Sequence, residues 1–233
     1  MRFSHATPEA TYQFAKRYAH YKDFYIRHNG LIFSKLGFGT FKKEPYKEEN
    51  YTFDYKEALK TAIHGGINVI DTAINYRYQQ SEREIGAVIH ELIDAGEVKR
   101  EELIICSKGG FIPLEFPFPE NPYTWIEEHI LEKGLASAEE IELDQHCMSP
   151  AFLEDSLYRS LNNLHVTCLD IYFLHNPETQ LTKIGYNTFL EKLEAIFALF
   201  EEKVREGKIK AYGIAVWNAF TYEASNPEYI SIE

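Results

Sequence analysis

The chain has 233 residues, 45% of them hydrophobic, and its 24 basic and 36 acidic residues give a formal charge of −12. At this length one large domain is expected, burying roughly 70–75% of its unfolded surface. The acidic balance argues against nucleic-acid phosphates or an anionic membrane as partners, since both need clustered Lys and Arg.

No apolar run reaches the roughly 18 residues of a spanning helix, and Met1-Arg-Phe-Ser-His lacks an apolar signal segment. Cys106, Cys147 and Cys168 are odd in number, far apart and without a C-x-x-C spacing, so they read as small core residues. A cytoplasmic protein with no metal site is the expectation.

Along the chain, Thr7-Pro8-Glu9 combines an N-cap, a Pro at the first helical position and an acid in the first turn. A helix is predicted from there to about Tyr21. Residues 24–28 and 31–35 form two short runs joined by Asn29-Gly30, a hairpin signal because both central positions of a type I′ turn need φ > 0. A repeating strand–loop–helix pattern then begins. Leu36-Gly-Phe-Gly-Thr40 is its first short strand. Asp54 can cap a helix with Tyr55, Leu59, Ala62 and Ile63 on one face, ended by Gly65-Gly66.

Ile67-Asn-Val-Ile70 is the second strand. Ser81-Glu-Arg-Glu84 has the form of a capping box, opening a helix with Ile85, Val88, Ile89, Leu92 and Ile93 at helical spacing. The third strand, Leu103-Ile-Ile-Cys-Ser-Lys108, precedes an insert at about 109–148, Pro-rich at first and acidic later. Trp125, Ile126, Ile130 and Leu131 predict a short helix inside it. The insert reads either as a lid or substrate wall or as a solvated elaboration. Ser149-Pro150 opens the next helix, with Leu153, Leu157, Leu161 and Leu164 inward. Leu169-Asp-Ile-Tyr-Phe-Leu-His175 is the fourth strand. A helix with Phe189, Leu190, Leu193, Ile196, Phe197, Phe200 and Val204 on its apolar face stops at Gly207, and a fifth strand runs from about 209 to 216.

Apolar strands alternating with amphipathic helices imply an α/β fold, with helices outside a parallel sheet. Chemically capable side chains sit at the ends of several different strands, which favours a (β/α)8 TIM-type barrel over an open doubly wound sheet. Only about five units can be counted, so the barrel is expected to be incomplete, truncated by on the order of 100 residues. Residues 1–35 are expected to close the barrel bottom, and 36–233 to form the partial barrel.

The second, third and fourth strands run out into Asp71-Thr-Ala-Ile-Asn-Tyr76, Lys108 and His175. Gathered at one rim, these could transfer a proton to a carbonyl oxygen. The Lys108 ammonium would lower the Tyr76 pKa, Asp71 would hold the ammonium, and His175 would fix the substrate oxygen. A hydride is also required, and no side chain supplies one, so a nicotinamide cofactor is implied.

The chain resembles the aldo-keto reductase family. The matching segments are the hairpin, Leu36-Gly-Phe-Gly-Thr40, Asn68-Val-Ile-Asp71-Thr-Ala-Ile-Asn-Tyr76, Ser81-Glu-Arg-Glu-Ile-Gly86, Ile105-Cys-Ser-Lys108, Asp170-Ile-Tyr-Phe-Leu-His175 and Gly207-Lys-Ile-Lys-Ala-Tyr-Gly213-Ile. The resemblance implies NADPH-dependent reduction of an aldehyde or ketone, with Tyr76 as general acid, Lys108 and Asp71 tuning it, and His175 orienting the carbonyl. It places Gly39, Thr40, Asp71 and Asn176 near the nicotinamide. The family's Ser-Asn pair is replaced by Ala215-Val-Trp-Asn218, and Trp217 and Asn218 are assigned its carboxamide-holding role. The family's last three units, which contact the adenosine and its 2′-phosphate, are missing from the pattern, so weak NADPH binding and impaired turnover are expected. The alternatives are a non-catalytic binding or regulatory protein built on the partial barrel, and a lyase or isomerase using Lys108 as a Schiff-base nucleophile.

Overall fold

The Thr7 side chain accepts from the Ala10 amide at 3.2 Å and opens α1 (Pro8–Arg17) at the predicted residue. The computed structural model describes residues 5–41, 55–115, 117–143 and 145–231. Helix α1 ends at Arg17 rather than near Tyr21. Tyr18 leaves the helical backbone to pack its ring on Phe14 and Tyr21 and donate its hydroxyl to the Ile63 carbonyl at 3.2 Å. The hairpin β1 (Tyr25–His28) and β2 (Leu31–Ser34) turns at Asn29 and Gly30 with φ of 47° and 84°, as a type I′ turn demands.

The repeating units follow: β3 (Gly37–Gly39), α2 (Tyr55–His64), β4 (Val69–Asp71), α3 (Gln80–Asp94) and β5 (Ile104–Gly109). Asp54, the expected cap of α2, lies outside the described residues. Gly66 ends that unit at φ +93°, where a Cβ would fall 2.8 Å from the Tyr25 hydroxyl.

The insert folds into α4 (Pro122–Ile126), a π-helical turn at Glu127–Leu131, and a small hairpin of β6 (Ile141–Glu142) and β7 (His146–Cys147). Trp125, Ile126 and Ile130 are buried, as their helical spacing requires. After it come α5 (Pro150–Asn163), β8 (Leu169–His175), α6 (Glu178–Ile184), α7 (Tyr186–Arg205) and β9 (Ile209–Ala215). The sequence reading missed α6, a short helix directly after His175-Asn-Pro. Leu190, expected on the apolar face of α7, is 44% exposed, while Phe189, Ile196 and Phe200 are buried.

One expected motif does not form. Ser81 is not the N-cap of α3 but its second residue; Gln79, in the left-handed region at φ 69°, stands at the cap. The Ser81 hydroxyl donates to the Thr40 carbonyl at 3.1 Å, and Glu84 pairs with Arg77. Tertiary partners just after β3 and in the Tyr76 loop take both side chains of the capping box.

The five strands pair in the order β3-β4-β5-β8-β9, all parallel. Each unit adds its strand beside the previous one. That is the progression of a barrel wall; a doubly wound sheet would reverse direction at a switch point. The fold is α/β of the TIM-barrel type, and no closed barrel is present among the described residues.

Alternation along each strand sorts side chains to two faces. Ile70, Ile105, Tyr172 and Leu174 face outward, into a core with Ile85, Ile89, Leu153, Leu157 and Phe200 of the helices. The opposite face carries Val69, Ile104, Cys106, Ile171 and Phe173, covered from below by Ala6 and by Leu31 and Phe33 of the hairpin. Because i and i+2 share a face, the top of this inner face ends in Asp71, Lys108 and His175. All three cysteines are buried and unbonded. No helix among the described residues is long and apolar enough to cross a membrane.

Candidate active site

Three of the four predicted residues meet at the Lys108 ammonium. Its Nζ donates to Asp71 Oδ1 at 2.6 Å, to the Thr72 carbonyl at 2.7 Å and to the Tyr76 hydroxyl oxygen at 3.3 Å. Three acceptors match the three hydrogens of the ammonium. The Lys108 side chain is buried and that of Asp71 half-exposed, so the cluster sits at the lip of the sheet. The fourth residue, His175, lies across the rim with its ring centroid 5.6 Å from that of Tyr76, edge to face. One β-register brings them together: Asp71 pairs with Cys106, and Lys108, two residues further on, pairs with Phe173, two residues before His175.

The loop that carries Tyr76 is strained. Arg77, Tyr78 and Gln79 adopt φ of 51°, 55° and 69° in succession, a conformation costing about 1–3 kcal/mol per non-glycine residue. Buried polar contacts hold it in place. Gln79 Nε2 donates to the Pro113 carbonyl at 2.7 Å, and Gln79 Oε1 accepts from Asn163 Nδ2 at 3.1 Å. Asn163 also donates to Glu82 Oε2 at 3.0 Å, and the Ser107 hydroxyl donates to Glu82 Oε1 at 2.6 Å. The fully buried Glu82 thus ties the Tyr76 loop to the strand residue beside Lys108. Burial raises its carboxyl pKa, which the Ser107 and Asn163 hydrogen bonds offset in part.

The electrostatics differ from the sequence expectation at Tyr76. Lys108 was expected to lower its pKa, and both its charge and its hydrogen bond act in that direction, but burial is the larger effect and the net shift is upward. His175 is pushed down to about 3, chiefly by burial and then by the nearby Lys108 charge. It is therefore a neutral imidazole over the ordinary pH range.

Of the residues assigned to the cofactor, Gly39 pairs with Asp71 in register. Thr40 is buried beside them, its amide donating to the Asp71 carbonyl at 3.1 Å and its hydroxyl to Thr72 Oγ1 at 2.9 Å. Asn176 follows His175 at φ 46°. Oriented to satisfy its neighbours, its amide donates to the Ala215 carbonyl at 2.9 Å and accepts from Trp217 Nε1 at 2.7 Å. The Trp217 backbone amide donates to Glu178 Oε1 at 3.0 Å, and the residue is 73% exposed. Asn218 is exposed, with its carbonyl accepting from Thr221 in the turn that follows.

Sequence reasoning missed three contributors. The Thr72 carbonyl carries no side-chain signature. Phe41, 5.1 Å from the Tyr76 ring, and Phe111, 4.9 Å from the His175 ring, flank these two side chains; only their places, just after Thr40 and just after the Lys108 strand, could have marked them.

Comparison with known proteins identifies the family. A family model described as the aldo/keto reductase family matches residues 35–229. Aldo-keto reductase family 1 member C13 of Mus musculus is 30% identical over 162 residues, covering 69% of this chain and 36% of its own length. Glyoxal reductase of Bacillus subtilis is 28% identical over 194 residues, covering 83% and 49%. Among solved structures, an aldo-keto reductase of the silkworm Bombyx mori matches with TM-score 0.50 at 25% identity, covering 82% of this chain and 47% of its own. One from Bacillus halodurans matches with TM-score 0.53 at 21% identity, covering 80% and 47%, a likeness of fold. The chain spans about a third to a half of the curated relatives it matches. With the family model covering most of the sequence and the relatives naming one kind of oxidoreductase, the chain belongs to the aldo/keto reductase family.

Proposed function

We propose that this chain carries the proton-transfer half of an NADPH-dependent reduction of a small aldehyde or ketone, with Tyr76 as general acid. The observation that supports this most directly is the direction of one hydrogen bond. Lys108 donates to the Tyr76 oxygen, so the phenolic hydrogen is free to point toward a carbonyl in the pocket. Burial keeps Tyr76 protonated before reaction, so a proton is available when negative charge develops on the substrate oxygen. Once Tyr76 has given it up, the adjacent ammonium stabilises the phenolate, and Asp71 and the Thr72 carbonyl hold that ammonium in place.

His175 positions the carbonyl as a neutral Nε2–H donor. Its Nδ1 is buried with no partner among the described residues, and a bare lone pair there is cheaper to leave unsatisfied than an N–H. Phe41 and Phe111 set aromatic edges against the two rings.

The rim fits the nicotinamide end of the cofactor. Among the described residues nothing lies within 4 Å of a Cβ added at Gly39, the exposed Trp217 has its indole anchored at Asn176, and Glu178 Oε2 is a buried acceptor without a partner. Gly39, Thr40, Asp71, Asn176, Trp217 and Asn218 would hold the group, which supplies the hydride when bound. For the 233 residues alone we expect weak NADPH affinity and slow turnover. Among the described residues, strands β3 and β9 are sheet edges, and Val69, Ile171 and Phe173 are only half-buried on the inner face. That half-exposed face also supports the second reading, a binding or regulatory protein, for which a stable dimer in light scattering would speak. The buried, unbonded cysteines suit a cytoplasmic location.

The test is aldehyde reduction by the wild type beside Tyr76→Phe, with NADPH binding followed by fluorescence. Turnover that disappears with the phenolic hydroxyl supports the assignment; turnover indifferent to it overturns the assignment. Tight binding and fast turnover of the wild type would overturn only the expected impairment.

A further inference from the structure

We propose that His146, contributed by the insert, is a positioning residue that fixes the main chain of His175 and thereby the imidazole facing the substrate. The proposal rests on the reductase reading of His175 given above.

The ladder between β5 and β8 ends at the Gly109–Leu174 pair. Strand β5 therefore offers no donor to the next residue's carbonyl, that of His175. At this point Gly110 takes φ +142° and the chain turns away from the sheet. His146 Nε2 fills the gap, 2.7 Å from the His175 carbonyl oxygen. Because the partner is a carbonyl, Nε2 must carry the hydrogen, which leaves Nδ1 as a bare acceptor, buried with no partner among the described residues. An imidazole from the insert thus continues the hydrogen bonding that the strand has abandoned.

The surroundings leave His146 little freedom. Phe111 stands edge-on to both rings, 5.1 Å from His146 and 4.9 Å from His175. A Cβ on Gly110 would lie 2.8 Å from His146 Nε2 and 2.9 Å from the His175 oxygen, so only glycine admits the approach. The hairpin is pinned in turn. The Cys147 amide donates to the Gly110 carbonyl at 2.8 Å, and Gln180 Nε2 of α6 donates to the His146 carbonyl at 3.0 Å and the Glu140 carbonyl at 2.9 Å. On the far side, the Asn176 backbone N–H donates to the Ala215 carbonyl at 2.7 Å. The segment His175-Asn176 is therefore clamped between β9 and the insert. His146 has 0% exposure, so it acts through His175 and does not touch substrate.

The experiment compares His146→Gln, which keeps an N–H donor of similar reach, with His146→Phe, which fills the space without one. Two readouts are taken: kcat and KM for 4-nitrobenzaldehyde with NADPH, and the ring ¹⁵N–¹H signals of His175 in the cofactor-free protein. His146→Phe is expected to lose on the order of 10²-fold in kcat/KM, the scale of a misplacement of about 1 Å, and to displace or broaden the His175 signals. His146→Gln should restore most of both. Wild-type signals and kcat/KM in His146→Phe overturn the proposal, as does a folded His146→Gln that behaves like His146→Phe. Should His146→Phe not fold, His146→Asn replaces it, since its shorter amide cannot reach the carbonyl and should displace His175 where His146→Gln does not. If the wild type reduces no aldehyde, the reductase reading fails, while the ring signals still decide whether His146 positions His175.

Discussion

Lys108 Nζ lies 3.3 Å from the Tyr76 hydroxyl oxygen and gives it one of its three hydrogen bonds, yet burial still holds the phenol above its ordinary pKa. Two opposed effects act on one oxygen, and desolvation is the larger. On the proposed reading, such a site would keep its proton at rest and be helped to release it only when charge appears on a partner.

Replacing Lys108 by Met should therefore act twice. The Tyr76 pKa rises further, because the group that lowers it is gone, and kcat falls by about 10²–10⁴-fold, the usual worth of a positioned proton donor. Ultraviolet titration of the phenolate checks the first effect and steady-state kinetics the second. A phenolate that titrates lower in the variant contradicts the assignment of Lys108.

The pH dependence of stability should carry the signature of two buried imidazoles. His175 and His146 titrate near 6.5 when unfolded but at about 3 and about 4 in the fold, in both cases chiefly through burial. Between those values the unfolded chain binds more protons, so stability is complete above 6.5 and falls as the pH drops toward 4. Thermal melts across this window should show a shallower slope for His146→Gln than for the wild type. Parallel slopes would mean that His146 does not stay neutral in the fold.

Asp170 should be the most costly acid to remove. Its carboxylate accepts from Arg100 Nη2 at 2.8 Å, from the Ile105 amide at 2.8 Å and from the Ala6 amide at 2.7 Å, all buried. Asp170→Ala strands a buried guanidinium and two amides, for a loss of about 3–5 kcal/mol in urea denaturation. A loss under about 1 kcal/mol, typical of a surface pair, would refute the buried clamp.

Glu82 separates hydrogen bonding from charge. Ser107 and Asn163 each donate to one of its oxygens, and burial disfavours its ionised form. Glu82→Gln keeps the shape and should cost about 1 kcal/mol or less, whereas Glu82→Ala leaves two buried donors unpaired and a cavity, costing about 2–5 kcal/mol. Equal losses in denaturant melts would show that the fold requires the negative charge itself.

The alternation of apolar strands with amphipathic helices was legible before any coordinates, because burial on both faces demands Ile, Val and Leu in short runs and helical burial demands a 3.6-residue repeat. The N-cap at Thr7 and the turn at Asn29-Gly30 were legible too, since each depends on local backbone geometry. The capping box at Ser81 was misread because the Thr40 carbonyl and Arg77, distant or strained partners, took both of its side chains. Helix α6 and the hairpin β6–β7 were missed because they are too short to show a period.

By itself the sequence determined which residue types stand at the strand ends: Asp71, Lys108 and His175 lie in the last residues of their strands and Tyr76 in the loop after Asp71, and a strand's direction fixes the end at which they emerge. Only the tertiary structure decided what surrounds them. The sign of the Tyr76 shift, the Thr72 carbonyl beneath Lys108, the aromatic walls and the His146 ring on the His175 backbone all depend on burial and on contacts between segments far apart in the chain. Desolvation and long-range hydrogen bonds have no local signature, because they belong to the space that the fold encloses.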